Sequence, residues 1–329
     1  MQTLKPLVSV ILPVYNGADS LSDSIRSILN QSFDNFELLI CDDASYDRSK
    51  DIVAEFDDPR ITIYNNKFNI GYAGNLNKLM SLSHKNSQYI TITEQDDIYN
   101  EELFQLAVDY LKDNLDYGMV SCIGEHHNGI EKTTQFPGIL VNGKNYPKGL
   151  DFFLLNYREQ LKVLVSGMMF RKSIHQDNKL TFSSKYPNLS VDWDYVLRFS
   201  LVSIIGGIHK TLVTLDRRPN RNSLTTNTEQ AFIVARALIS DFYKEFPYYI
   251  TKRDYEYALA TQMYIELSMH KFFYRIIIIF IKIMFIDPDK NRVINRLNRE
   301  LQRVSNKITD IIILIKKIIM KVEISGGNQ

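Results

Sequence analysis

Apolar residues in the first part of the chain fall into short unbroken runs separated by stretches with helical spacing. Residues 7–12 (LVSVIL), 36–41 (FELLIC), 61–64 (ITIY) and 89–93 (YITIT) are runs of strand length rich in branched side chains. Between them, 19–30 places Leu21, Ile25, Ile28 and Leu29 on one helical face, and 47–56 and 71–82 read the same way. Strands without polar alternation are buried on both faces. Alternating with helices, they predict parallel β-α-β units and an α/β fold with a doubly wound, mostly parallel sheet. Such sheets bind ligands beyond the carboxyl ends of their strands. Three polar clusters fall at such ends: PVYNG (13–17), DDASYD (42–47) and EQDD (94–97).

The pattern then loosens. Loop signals stand at Asn128-Gly129, Pro137-Gly138 and Pro147-Lys148-Gly149, within a stretch of no clear period. Residues 163–170 (VLVSGMMF) and 207–215 read as strands, 192–203 as a helix, and the chain is helical in texture from Glu229 onward. Near its end, Ile294, Leu297, Leu301, Val304, Ile308, Ile311, Ile315, Ile318 and Val322 repeat with alternating spacings of 3 and 4, the seam of a coiled coil. Before it, 272–286 (FFYRIIIIFIKIMFI) is apolar but carries Arg275 and Lys282. It falls short of the ~20 residues that span a bilayer. A helix lying in a membrane surface and a helical subdomain packed on the core both fit it.

Charge sharpens the view of the tail. The formal net charge is +1, yet residues 271–322 hold 12 Lys and Arg against 4 Asp and Glu, leaving 27 against 34 elsewhere. A basic tail on an acidic body implies an anionic partner for the tail, and the tail also predicts a homo-oligomer or membrane-surface contact. Cys41 and Cys122 sit in strand-like apolar contexts and read as buried thiols of a reducing compartment. The N-terminal run is too short for a secretory leader and reads as a first strand, which predicts a cytoplasmic protein.

Several chemistries drop out. No glycine fingerprint opens a helix after the first strand, as a dinucleotide-binding fold requires. Gly138, Gly143 and Lys144 have P-loop spacing, but Asn145 stands where the cation-binding hydroxyl belongs. The six histidines form no zinc-ligand pair, and no nucleophile elbow is present. Basic residues lack interleaved stacking aromatics, which argues against nucleic acid.

Carboxylates remain. Glu94, Asp96 and Asp97 crowd the end of an apolar strand. They read either as an N-cap for a helix over 100–111 or as hard oxygen ligands for Mg2+ or Mn2+. Asp192 and Asp194 flank the only tryptophan, Trp193, at the start of a helix. They too read as caps or as a general base.

Taken in order, these stretches resemble the inverting glycosyltransferases of family 2. The motifs that carry the likeness are VSVILPVYN (8–16), DDASYD (42–47), NIGYAGNLN (69–77), EQDD (94–97), SGMMFR (166–171), VDWDYVLR (191–198) and DRRPNRNS (216–223). The resemblance implies a GT-A fold, a Rossmann-like doubly wound sheet, over 1–225. A donor half would end near residue 100, an acceptor half would follow over 101–225, and 226–329 would be an α-helical extension. Pro13, Tyr15, Asn16, Asp42, Asp43, Gly71, Asn77, Glu94, Arg217 and Arg218 would bind a nucleotide-sugar donor. Asp96 and Asp97 would hold Mn2+ or Mg2+, Asp192 would be the general base, and Gly167, Trp193 and Asp194 would meet the acceptor.

The implied activity is metal-dependent transfer to a glycan or polyprenyl-linked glycolipid in surface polysaccharide synthesis, peripheral on the cytoplasmic face of the inner membrane. Two readings compete: a nucleotidyltransferase on a similar fold, and a non-catalytic scaffold working through its coiled coil. The chain departs from the family pattern at Glu94, where Asp is usual, at Val191, where an acid is usual, and at Pro219, near a usual His.

Overall fold

The first strand, β1 (Val8–Val14), is buried throughout, with both of its faces covered. It belongs to a computed structural model that describes residues 5–268, apart from 129, 137–139, 142–143, 146–148, 162, 187–189 and 217–227. After β1 come α1 (Leu21–Leu29), β2 (Phe36–Asp42), α2 (Ser49–Ala54), β3 (Ile61–Asn65), α3 (Gly71–Leu82) and β4 (Tyr89–Ile92). Then follow β5 (Asp97–Tyr99), α4 (Leu103–Asp113), β6 (Tyr117–His127) and β7 (Lys132–Phe136). The short β8 (Leu140–Val141) and β9 (Lys144–Asn145) pair only with each other. The remainder is α5 (Leu150–Glu159), β10 (Met169–Arg171), α6 (Lys172–Asp177), α7 (Val191–Val202), β11 (Ile204–Asp216), α8 (Thr228–Glu245) and α9 (Lys252–Ser268).

The main sheet has the order β3-β2-β1-β4-β10-β6-β11-β5, with β7 paired to β6. Strands β1 to β4 are mutually parallel, and β10 is antiparallel to both β4 and β6. Strand β6 therefore runs with β4, β11 runs with β6, and β5 and β7 run against them. The sheet is mixed, with six of its nine strands running one way and β5, β7 and β10 against them, and the consequence of the shared direction is a common rim. The carboxyl ends of β1, β2, β4, β6 and β11 meet there, and so do the amino ends of the reversed strands β10 and β5.

Packing explains the unbroken apolar runs. Val8, Val10, Leu12 and Val14 join Phe36, Leu38 and Ile40 against α1 and α4 on one face. Ile11, Leu39, Cys41, Ile90 and Ile92 face α3 and α7 on the other. Alternate residues of each strand thus serve two cores, so the period-two polar alternation of a half-exposed strand is missing. Both cysteines are buried free thiols.

Pro13 lies within the first strand, opposite Cys41. The Ile11 carbonyl accepts the Thr93 amide at 2.9 Å, so odd-numbered residues of β1 turn their backbone toward β4, whose pairing stops at Ile11 opposite Ile92. Pro13 sits past that point, where no ladder partner asks for its missing N–H.

The chain parts into two compact units between Leu238 and Ile239, within α8. The expected boundary at residue 225 falls among residues that are not described. In the second unit Tyr243 stacks on Tyr255 at 4.5 Å, and α9 opens on a reciprocal cap. There Thr251 N–H donates to Asp254 Oδ2 at 2.9 Å while Asp254 N–H donates to Thr251 Oγ1 at 3.2 Å. The heptads and the apolar segment 272–286 lie outside the described residues. Among those described, no helix is long and apolar enough to cross a membrane.

Candidate active site

The loops after β1 and β2 are locked together by side chains that bond to backbone. Asn16 N–H donates to Ser45 Oγ at 2.9 Å, and Asn16 Oδ1 accepts the Tyr46 amide at 3.1 Å. Gly17 N–H reaches Ser49 Oγ at 2.8 Å, and Ala18 N–H reaches Asp47 Oδ2 at 3.0 Å. Asn16 and Ala44 both take left-handed backbone, φ 50° and 60°, which an Asn adopts readily. Gln95 clasps the same loop to the acidic turn, accepting the Tyr15 amide at 2.9 Å and donating to the Tyr15 carbonyl at 3.0 Å. A Cβ on Gly17 would lie 2.5 Å from that Gln95 oxygen, so the clasp requires glycine there. Pro13 is buried behind this loop, whereas Tyr15 is exposed at the mouth, its ring edge-on to Tyr46 at 6.2 Å.

Asp42 ends β2 in a buried position. Its Oδ2 accepts the Ser45 amide at 3.1 Å and lies 3.5 Å from the Lys50 ammonium. Its Oδ1 is buried with no hydrogen-bond partner among the described residues. An orphaned carboxylate oxygen is costly unless a donor arrives from a ligand or water.

Asp43 is already engaged. Its Oδ1 accepts Asn66 Nδ2 at 2.7 Å and the Ile70 amide at 2.9 Å, and its Oδ2 accepts the Gly71 amide at 2.9 Å. Asp43 thereby caps the entry to α3, where Gly71 at φ 79° supplies a turn that an L side chain disfavours. Both Asn77 amide atoms are likewise used, bonding the Phe182 carbonyl at 2.8 Å and its amide at 2.9 Å.

The acidic turn is not a helix cap. Asp97 opens β5 opposite Leu215, and α4 begins only at Leu103, where Asn100 Oδ1 takes the Glu102 amide at 3.1 Å. Asp97 is buried and Asp96 is partly exposed on the rim. Glu94 is fixed by its backbone: its N–H donates to Tyr99 Oη at 2.6 Å, and its carbonyl accepts Ser24 Oγ at 2.7 Å. Its Oε1 accepts the Tyr72 hydroxyl. Burial, and then the charges of Asp96, Asp97 and Asp192, push the Glu94 carboxyl well above the usual carboxylate range.

Among the described residues no three His, Cys, Asp or Glu side chains converge into a closed metal cage. One or two hard carboxylates at an open rim fit Mg2+ or Mn2+, cations that fill their remaining positions with water and phosphate oxygens. The residues present therefore suit the group, with Asp96 the accessible donor and Asp97 beside it.

On the acceptor side, Asp192 lies in the first turn of α7, after Ser190 at φ 54°, and its Oδ1 accepts the Trp193 amide at 2.9 Å. The residue is exposed, and desolvation by the surrounding protein raises its carboxyl above the ordinary aspartate value. Its charge acts on both Glu94 and Tyr72, so residues separated by about a hundred positions in sequence meet at one place.

Trp193 donates its indole N–H to Asn156 Oδ1 at 3.2 Å. Asp194 is buried and paired with Arg198 at 3.1 Å within α7. Gly167, at φ 78°, donates to the Ile92 carbonyl at 2.7 Å; a Cβ there would sit 2.8 Å from Leu103. Its place is a tight turn beside β4 rather than a contact surface. Arg217 and Arg218 lie outside the described residues.

Sequence reasoning missed Tyr72, Gln95, Tyr99, Asn156 and Ser166, whose Oγ is 2.9 Å from Tyr99 Oη. Tyr72, Gln95 and Ser166 stand inside the motifs quoted above, but only the fold shows what they touch.

Comparison with known proteins agrees with this geometry. The profile of Glycosyl transferase family 2 matches residues 9–177. An uncharacterized glycosyltransferase of Haemophilus influenzae is 27% identical over 232 residues, covering 68% of this chain and 70% of that protein. The UDP-Glc:alpha-D-GlcNAc-diphosphoundecaprenol beta-1,3-glucosyltransferase WfgD of Escherichia coli is 37% identical over 112 residues. That match covers 34% of this chain and 44% of the enzyme, less than half its length.

Among solved structures, S. aureus TarS 1–349 in complex with UDP superposes with a TM-score of 0.57 at 16% identity, over 79% of this chain and 72% of that one. The mannosyltransferase PcManGT of Pyrobaculum calidifontis, in complex with GDP-Man and Mn2+, gives 0.50 at 16% identity, over 82% and 77%. At such identities the structures establish the shared GT-A-like fold.

Proposed function

The chain belongs to glycosyl transferase family 2, and on that premise we propose that it moves a sugar from a nucleoside-diphosphate donor to a glycan or polyprenyl-linked acceptor, inverting the anomeric carbon. One observation carries the reading: Asp42 and the Glu94–Asp97 turn share one rim of the sheet, and Asp192 lies within electrostatic reach of Glu94. A nucleotide base and ribose would lie over the β1 and β2 loops, where Tyr15 offers a ring and Asp42 Oδ1 an acceptor. Asp43, Asn16, Gly71 and Asn77 would shape that pocket from behind, and Arg217 and Arg218 would supply positive charge for the diphosphate.

Asp96 and Asp97 would hold Mg2+ or Mn2+, which when bound neutralises charge on the leaving diphosphate. The PcManGT complex with GDP-Man and Mn2+ supports a cation on this fold. Asp192 takes the proton of the acceptor hydroxyl as it attacks the anomeric carbon from the face opposite the leaving group. Its raised carboxyl makes it a stronger base than an ordinary aspartate, and its openness lets an acceptor approach. Trp193, held by Asn156, would form an apolar wall for a sugar ring.

The WfgD match favours a lipid-diphosphate-linked acceptor, and the basic, apolar tail read from the sequence suits an anionic membrane surface on the cytoplasmic side. Replacing Asp192 by Asn keeps the shape and removes the base. Transfer should fall by about 10²–10⁴-fold. The assay is release of nucleoside diphosphate from UDP-, GDP- and dTDP-sugars with Mn2+, paired with nucleotide binding, which should be unchanged. Full transfer by Asp192→Asn would remove the base assignment.

A further inference from the structure

We propose that Tyr72 is a positioning residue that holds the Glu94 carboxyl by a hydrogen bond, so that Glu94 serves the donor side of the site and does not join Asp96 and Asp97 on the cation. This rests on the cation and base readings above. By sequence alone Glu94 stands with Asp96 and Asp97, two and three residues on, among the hard oxygen ligands, while the family resemblance puts it with the donor. The Tyr72 hydrogen bond favours the second assignment.

The Glu94 backbone is pinned on both sides, through Tyr99 Oη and Ser24 Oγ, so the turn sets the direction in which its side chain leaves. The Tyr72 hydroxyl then donates to Oε1. Tyr72 is itself rigidly mounted. It follows Gly71 at the start of α3, where Asp43 takes the amides of Ile70 and Gly71, and its ring packs against the core on that face of the sheet.

This arrangement accounts for the longer side chain. An aspartate at this position, one methylene shorter on the same fixed backbone, would fall short of the tyrosine. Repulsion from Asp96 and Asp97 also makes a neutral hydroxyl donor a suitable partner for Glu94, because it holds the carboxyl without adding charge. Without the hydroxyl, Glu94 is free to swing toward the cation and occupy a position otherwise open to water or phosphate oxygen.

Mn2+ titration of the full-length, nucleotide-free protein, followed by calorimetry or by the spin resonance of free Mn2+, tests this apart from turnover. Glu94→Gln, whose amide oxygen still accepts from Tyr72, should bind Mn2+ as the wild type does. Tyr72→Phe should bind Mn2+ at least threefold more tightly, and adding Glu94→Gln to it should restore the wild-type affinity. In transfer assays Tyr72→Phe should lower kcat about tenfold with donor KM within threefold, Glu94→Asp should match it, and the double variant should be no worse than either.

Weaker Mn2+ binding by Glu94→Gln overturns the proposal, since Glu94 would then be a ligand. Equal affinities in Tyr72→Phe and wild type overturn it as well. Should Tyr72→Phe fail to fold, the Glu94→Gln titration still decides. If the wild type binds no Mn2+, the cation reading itself fails, an outcome distinct from either of these.

Discussion

His175 shows how one half-buried group ties stability to pH. Its Nδ1 lies 2.9 Å from Tyr195 Oη, and its ring packs against Phe170 and Tyr195 at 5.9 and 6.1 Å. Burial, then the nearby Lys172 charge, lower its pKa from 6.5 to about 4. The unfolded chain therefore binds a proton that the folded chain refuses between those values. Stability is whole above pH 6.5 and falls as pH drops toward 4. Between pH 7 and 5 this group should withdraw about 2 kcal/mol from the free energy of unfolding. Urea unfolding at both pH values checks the sign, and His175→Leu should flatten the difference.

At the scale of elements, Asn77 decides between two roles for one residue. Family resemblance puts it with the donor, but its amide bridges α3 to the segment that carries Phe182. Phe182 in turn stacks on Tyr195 of α7 at 4.0 Å, one turn after Asp192. Asn77→Ala leaves a carbonyl and an amide unmade and should cost about 2–4 kcal/mol. Denaturant unfolding would register that loss while nucleotide affinity stays near wild type; weakened nucleotide binding with unchanged stability would return Asn77 to the donor pocket.

The same contrast marks what was legible in the sequence. Strands β1 to β4 and their helices are written in local periodicity, and α3 was read over the residues it occupies. Strand β5 was not, because three residues carry no period and its partner Leu215 lies far along the chain. Residues 163–170 read as a strand, yet only Met169–Arg171 pairs, since Gly167 turns the backbone at φ 78° just before it. In the site, the carboxylates could be named from their motifs. Their division of labour could not: Asp43, Asp194 and Asn77 are spent on backbone and ion-pair contacts that only folding creates.

The sheet as a whole gives these assignments a joint test. Asp42 reaches the rim from one parallel strand, and Asp96 from the turn beyond another, joined to the first loop by the Gln95 clasp. Nucleotide and cation sites built on a single rim should stabilise the fold together, because each ligand fixes loops that the other also uses. A ligand present at 100 times its dissociation constant adds about 2.7 kcal/mol to a folded state that alone binds it. Thermal unfolding of the full chain with UDP, GDP or dTDP should therefore shift upward, and further when Mn2+ is added. Asp96→Ala should keep the shift from nucleotide alone, which depends on the β1 and β2 loops, and lose the increment from Mn2+. An increment that survives Asp96→Ala would place the cation away from the acidic turn, and the rim would then have to be reassigned around Asp42 alone.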